Sequence, residues 1–194
     1  MTAATIQVSL GARFVEALGF AARLHAGQVR KGTGIPYVSH LLAVAGLVLE
    51  DGGDEDEAIA ALLHDAAEDQ GGTAVLDEIR ERFGDRVAAI VRGCSDTLEQ
   101  PKPPWRPRKE TYLRLLRSAP PDVLRVALAD KVHNARSVLA DLRTLGPALW
   151  ARFNAPRDDQ LWYFRALVDL FGRRYPGPLA DELGRIVAEI ERLG

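Results

Sequence analysis

Apolar residues recur along this chain at intervals of three and four, the period of helices that bury one face. Leu10, Phe14, Leu18, Ala21 and Ala22 put such a stripe on a first helix that ends near Gly27. Residues 27–36, GQVRKGTGIP, then form a loop that offers Arg30, Lys31 and free backbone amides. Ser39 is placed to cap a second helix through Leu41, Leu42, Val44, Ala45, Val48 and Leu49, which stops at Asp51, Gly52 and Gly53. Asp54 and Glu57 have the spacing of a capping box for a third helix, which carries HDAAED at 64–69. Two short amphipathic helices follow, Thr73 to Phe83 and Asp85 to Cys94, broken at Gly84. The proline-rich run EQPKPPWRPR at 99–108 predicts an extended loop, and a helix from Lys109 to Arg117 comes next. A long periodic stretch from Val123 to Leu145 ends at Gly146 and Pro147, and further helices fit 148–153, 157–171 and 178–193. Period-2 alternation is not sustained anywhere, so the pattern predicts an all-α chain.

Composition narrows the picture. With 194 residues, 47% of them hydrophobic and 27% charged, the chain suits one ordinary folded domain over 1–194. A net charge of −2 argues against a protein that coats nucleic acid, which needs a surplus of Lys and Arg. The single cysteine, Cys94, reads as a small core residue in a reducing compartment. No apolar run approaches the roughly 20 residues of a membrane span, and the amino terminus does not read as a leader, so a cytoplasmic location is expected.

The candidate chemistry centres on HDAAED. At about 100° per residue, Ile59, Leu62, Leu63, Ala66 and Ala67 fall on one side of a helix, and His64, Asp65, Glu68 and Asp69 on the other. Alone, those four fit the solvated face of any amphipathic helix. Two matching residues lie elsewhere: His40, before a strongly apolar helix, and Asp130, in LADKVHN. A carboxylate among neighbours as apolar as Leu124, Ala127, Leu128 and Val132 needs a partner, which is either a cation such as Lys131 or a metal. Together His40, His64, Asp65 and Asp130 form a mixed nitrogen and oxygen donor set suited to Mn²⁺, Zn²⁺ or Fe²⁺.

The pieces HAGQVRK with GTGIPYVSH, from His25 to His40, HDAAED at 64–69 and DKVHN at 130–134 occur in that order. Over roughly residues 10–170 the chain thereby resembles the hydrolase domain of RelA/SpoT homologues and the stand-alone small alarmone hydrolases. The resemblance implies a single HD-domain helical bundle of eight to ten helices. It implies that His40, His64, Asp65 and Asp130 hold a divalent metal, usually Mn²⁺, and that Glu68 and Asp69 position and deprotonate water. It matches Arg30 and Lys31 to a cationic pair near the nucleotide, Asn134 to a polar contact with its sugar or phosphates, and Tyr163 to a nearby aromatic. The activity implied is removal of the 3′-pyrophosphate of (p)ppGpp, giving pyrophosphate and GDP or GTP, with no room for a synthetase domain. The alternatives are an HD-type phosphatase of another nucleotide, such as the 2′-phosphate of NADPH, and a regulatory module that only binds nucleotide. The expected partner is a small nucleotide, with no nucleic acid and no membrane; the sequence does not indicate an oligomeric state. Leu41 stands where the family often has proline, and the 101–109 segment matches only loosely, which leaves Lys102, Arg106 and Lys109 as residues of a solvated loop.

Overall fold

A computed structural model describes residues 8–194; the reading of the extreme amino terminus falls on 1–7, outside the described residues. Ten α-helices and one 3₁₀ helix account for the regular structure among the described residues, and the chain is all-α as expected. They run α1 (Ala12–Leu24), α2 (Val38–Glu50), α3 (Glu55–Leu63), α4 (Ala66–Gln70), α5 (Gly72–Phe83), α6 (Asp85–Cys94), α7 (Trp105–Ser118), α8 (Pro121–Leu145), the 3₁₀ helix Gly146–Arg152, α9 (Arg157–Arg174) and α10 (Pro178–Leu193).

Helix α3 forms the centre because, past its acidic first turn, its sequence is apolar on every side. From Ala58 to Leu63 all six residues are buried, so it can only lie inside. The capping box at its start is present: Asp54 accepts from the Glu57 amide, and Glu57 accepts from the Asp54 amide. Helices α1, α2, α6 and α8 pack around α3. The 25-residue α8 is the second scaffold, with Pro121 preset for its first turn. It buries Leu124, Ala127, Leu128, Val132, Ala135, Val138 and Leu142 against α2, α6 and α10.

Several expectations change. HDAAED is not one continuous helix: α3 ends at Leu63, His64 and Asp65 form a turn, and α4 restarts at Ala66. The apolar side survives the break, since Ile59, Leu62, Leu63, Ala66 and Ala67 are all buried, but His64 is only 1% exposed and faces no solvent. Ser39 caps nothing; α2 begins at Val38 and Tyr37 holds the cap position without a side-chain bond. In the first stripe, Leu10 precedes the helix and Ala22 is exposed, whereas Ala17, Phe20 and Ala21 are buried; Leu42 of α2 also faces solvent.

The run 99–108 is extended only as far as Pro104, for α7 starts at Trp105 and contains Pro107. Pro107 sits in the first turn, where an amide has no acceptor within the helix, so the missing N–H costs little. The 27–36 loop is also more ordered than its glycines suggest. Val29 and Pro36 form an isolated antiparallel bridge, and the Arg30 amide donates to the Ile35 carbonyl at 2.8 Å. Gly32 makes the turn at φ +73°, with the Arg152 side chain where a Cβ would stand.

Candidate active site

Four side chains from three places in the chain meet in the interior. α2 supplies His40, the turn after α3 supplies His64 and Asp65, and α8 supplies Asp130. His40 Nε2 lies 3.5 Å from Asp65 Oδ2 and 3.2 Å from Asp130 Oδ1. His64 Nε2 lies 3.0 Å from the same Asp65 oxygen and 3.6 Å from the same Asp130 oxygen. Both Nε2 atoms are buried and make no hydrogen bond. An orphaned imidazole nitrogen inside a protein is costly, and two of them aimed at two carboxylates fit a divalent cation. His40, His64 and Asp65 bring their ligand atoms within 4.8 Å of one another. The break at His64 and Asp65 makes this possible, because adjacent residues on a straight helix would point about 100° apart.

The other atoms of these residues are tied down. His64 Nδ1 lies 2.8 Å from the Ala61 carbonyl, and His40 Nδ1 lies 2.7 Å from Nδ1 of His133. The Tyr37 hydroxyl donates to Asp65 Oδ2 at 2.6 Å. Asp130 accepts from Lys131 at 2.6 Å through Oδ2 and from the Asn134 amide through Oδ1. The sequence posed a choice between a metal and Lys131 as partner of Asp130; Oδ2 pairs with Lys131, while Oδ1 lies beside the two imidazole Nε2 atoms. Burial disfavours the charged forms, but attraction outweighs it: the imidazoles hold Asp65, and Lys131 with the imidazoles holds Asp130, well below the usual carboxylate range, while the two carboxylates hold His64 well above its ordinary value. Burial, followed by the neighbouring His40 and Arg30, pushes His133 down to about 4.

Glu68 and Asp69 lie on α4 and are bound by a lysine the sequence left in solvent. Lys102 donates to Glu68 Oε1 at 2.9 Å and to Asp69 Oδ1 at 3.3 Å. The Asp96 amide donates to Glu68 Oε2 at 3.0 Å, and the Gln28 amide group donates to Asp69 Oδ2 at 3.0 Å. Burial and the Asp96 charge raise the Glu68 carboxyl above its ordinary value, with Lys102 opposing them. Asp96 itself is buried, but Lys109 and Arg108, both hydrogen-bonded to it, hold its carboxyl far below the usual range.

Beside this centre is a cavity of about 600 Å³ whose lining includes Arg30, Lys31, Asn134 and Tyr163, the four residues expected to face a ligand. Arg30 donates to Asn134 Oδ1 at 2.9 Å, and Lys31 to Asn154 Oδ1 at 2.7 Å. Tyr163 is 7% exposed, with Trp105 edge-on at 5.9 Å and the Lys109 ammonium 5.1 Å from its ring centre, so it is both core and wall. Lys109, Arg108 and Lys131 also line the cavity, making one wall strongly cationic. Arg106 does not reach it, being stacked 3.3 Å over Trp162 and paired with Asp159 and Glu110. The sequence reading passed over Tyr37, Gln28, Asp96 and His133. Gln28, Tyr37 and His133 stood inside quoted motifs, and that was their only signal.

Residues 17–161 match the family described as HD domain. The human protein named guanosine-3′,5′-bis(diphosphate) 3′-pyrophosphohydrolase MESH1 is 36% identical over 146 residues, covering 74% of this chain and 76% of that one. A Synechocystis protein named as a probable enzyme of the same activity is 36% identical over 186 residues, 90% of this chain but 21% of its own length. The solved structure of a metazoan ortholog of SpoT, described as hydrolyzing ppGpp, superposes with a TM-score of 0.78 at 27% identity, covering 94% of this chain and 98% of that one. A protein from Listeria monocytogenes EGD-e gives a TM-score of 0.69 at 32% identity, over 81% of this chain and 99% of that one. With the buried His and Asp cluster at its centre, a helical fold shared over nearly its whole length and a family match across three quarters of its residues, the chain belongs to the HD-domain family.

Proposed function

We propose that this protein hydrolyses the 3′-pyrophosphate of guanosine tetra- and pentaphosphate, releasing pyrophosphate and GDP or GTP. The observation that carries the reading is the pair of buried, unpartnered Nε2 atoms of His40 and His64, facing Asp65 and Asp130 next to a cation-lined cavity. The relatives' names support the substrate, and nothing in the site favours the 2′-phosphate of NADPH over it. In this reading residues 1–194 work as one catalytic domain in a reducing cytoplasm, where the buried Cys94 thiol stays inert.

His40, His64, Asp65 and Asp130 would hold one divalent cation, Mn²⁺ being the ion we assign to this mixed nitrogen and oxygen set. When bound, the cation supplies Lewis-acid chemistry, polarising a phosphoryl oxygen and acidifying water. Tyr37, Lys131 and Asn134 keep the two aspartates in place from outside. Arg30 and Lys31 neutralise the pyrophosphate, and Arg30 also offers a planar fork of donors to its oxygens. Asn134 joins Arg30 to Asp130, so the anion-binding loop and the centre share a fixed spacing. Tyr163 forms part of the cavity wall beside Lys109.

In the reaction, water forms a bond to the phosphorus next to the ribose and the P–O3′ bond breaks. Glu68 takes the proton of the attacking water, a role favoured by its raised pKa. Asp69, held by Gln28 and Lys102, orients that water, and a proton returns through the pair to the departing O3′. The test is release of pyrophosphate and phosphate, with Mn²⁺ present, from guanosine tetraphosphate, NADPH and nucleoside monophosphates. Pyrophosphate from guanosine tetraphosphate is the expected product. Phosphate from NADPH, with guanosine tetraphosphate left intact, would overturn the proposal.

A further inference from the structure

His133 lies in the DKVHN segment and has no role in the mechanism above, yet it stands between its two halves. On one side its Nδ1 is 2.7 Å from His40 Nδ1, with the rings 4.8 Å apart. On the other it lines the cavity together with Arg30, Lys31 and Asn134. Its Nε2 makes no hydrogen bond to any described residue; its ring nitrogens have the single contact to His40.

Two ring nitrogens this close need one proton between them, and only one can donate. His40 presents Nε2, buried and unpartnered, toward Asp65 and Asp130. A neutral imidazole that gives its Nε2 lone pair to a cation carries its proton on Nδ1. His40 is then the donor and His133 Nδ1 the acceptor. A proton on His133 Nδ1 as well would set two N–H groups head to head, so the proton of His133 is left on Nε2, the nitrogen without a partner.

We propose that His133 is a positioning residue with two working nitrogens. Nδ1 fixes His40 in the tautomer that offers Nε2 to the cation, and Nε2–H gives the cavity a neutral donor for a phosphoryl oxygen. The inference rests on the proposed metal for its first half and on the proposed nucleotide for its second. A residue behind a ligand in this way typically changes metal affinity by about 10- to 100-fold when replaced.

Two substitutions separate the roles. In His133→Asn the side-chain oxygen falls near the position of Nδ1, keeping the acceptor and losing the cavity donor. In His133→Gln the amide reaches toward the position of Nε2, keeping a donor and losing the acceptor. Metal-free full-length protein is titrated with Mn²⁺, free ion being read by electron paramagnetic resonance, and kcat and KM are measured with guanosine tetraphosphate. The Asn variant is expected to bind Mn²⁺ within about threefold of wild type and to show a KM raised roughly tenfold at similar kcat. The Gln variant is expected to lose about 10- to 100-fold in Mn²⁺ affinity. Wild-type Mn²⁺ affinity in the Gln variant, or equal losses in both, overturns the proposal. If either variant lacks the helical circular dichroism of the wild type, imidazole ¹⁵N spectra of the Zn²⁺-loaded wild type decide. Protonation of His133 at Nε2 supports the proposal and protonation at Nδ1 overturns it. A wild type that binds Mn²⁺ but releases no pyrophosphate refutes the substrate and with it the phosphoryl contact, and the Mn²⁺ titrations still decide whether His133 fixes His40.

Discussion

At the scale of single residues, the site divides into groups that need the cation and groups that do not. Asp65 faces both imidazoles, so Asp65→Ala should abolish turnover and sharply weaken Mn²⁺ binding, measured by metal content after gel filtration; full metal occupancy would remove Asp65 from the ligand set. Glu68 is hydrogen-bonded to Lys102 and the Asp96 amide and to neither imidazole. Glu68→Gln should therefore keep its metal and lose about 10² to 10⁴-fold in kcat. Asp96 has a different consequence, which is read in stability. Its carboxyl lies below its ordinary value of 3.8 in the fold, so its contribution is complete above that pH and fades as the pH falls through the lowered value. Asp96→Asn, which strips Arg108 and Lys109 of their partner, should cost roughly 2 kcal/mol at neutral pH. The gap to wild type in urea unfolding should narrow below the ordinary value, and a gap independent of pH would show that the charge is not what matters. Residue identity was the most legible level: His40, His64, Asp65 and Asp130 are recognisable from chemistry and order. Lys102 was not, because its partners lie 34 and 33 positions away and no local pattern announces them.

At the scale of elements, the capping box at Asp54, the stop at Gly84 and the limits of α6 follow from local rules and stand in the fold as read. The break between α3 and α4 does not, since a 3.6-residue period runs through HDAAED without interruption. The turn is imposed by what His64 and Asp65 face, and a sequence pattern cannot register a tertiary contact. Pro107 misled in the opposite direction, its place in a first turn being invisible without the position of α7. Helix α3 runs directly into the turn that carries His64 and Asp65, so its stability bears on the site. Asp54→Ala removes the cap and one partner of Arg86, and should lower stability by about 1 kcal/mol. Because the cap lies at the far end of α3 from His64, the melting temperature should fall while kcat at 25 °C holds. A fall in kcat without a fall in melting temperature would mean that α3 is coupled to the site in another way.

At the scale of the whole molecule, α8 links the centre to the cavity. Asp130 belongs to the one, Asn134 to the other, and Lys131 and His133 lie between them on the same helix. The all-α bundle was legible because helical periodicity survives nearly everywhere, whereas the cavity was not, being assembled from the 27–36 loop, α7, α8 and α9 together. A cation bound only by the folded state adds stability by mass action, about 2.7 kcal/mol at a hundredfold excess over Kd. Removal of the metal by a chelator should therefore lower the melting temperature, and Mn²⁺ should restore it; an unchanged melting temperature would argue against a buried cation at this centre. The most direct measurement is pyrophosphate release from guanosine tetraphosphate by chelator-stripped protein as Mn²⁺ is titrated back, beside Asp65→Ala. The account predicts no release from stripped protein, recovery that saturates with bound Mn²⁺, and none from the variant at any Mn²⁺ concentration. Equal release by stripped protein, or wild-type release from Asp65→Ala, would contradict it.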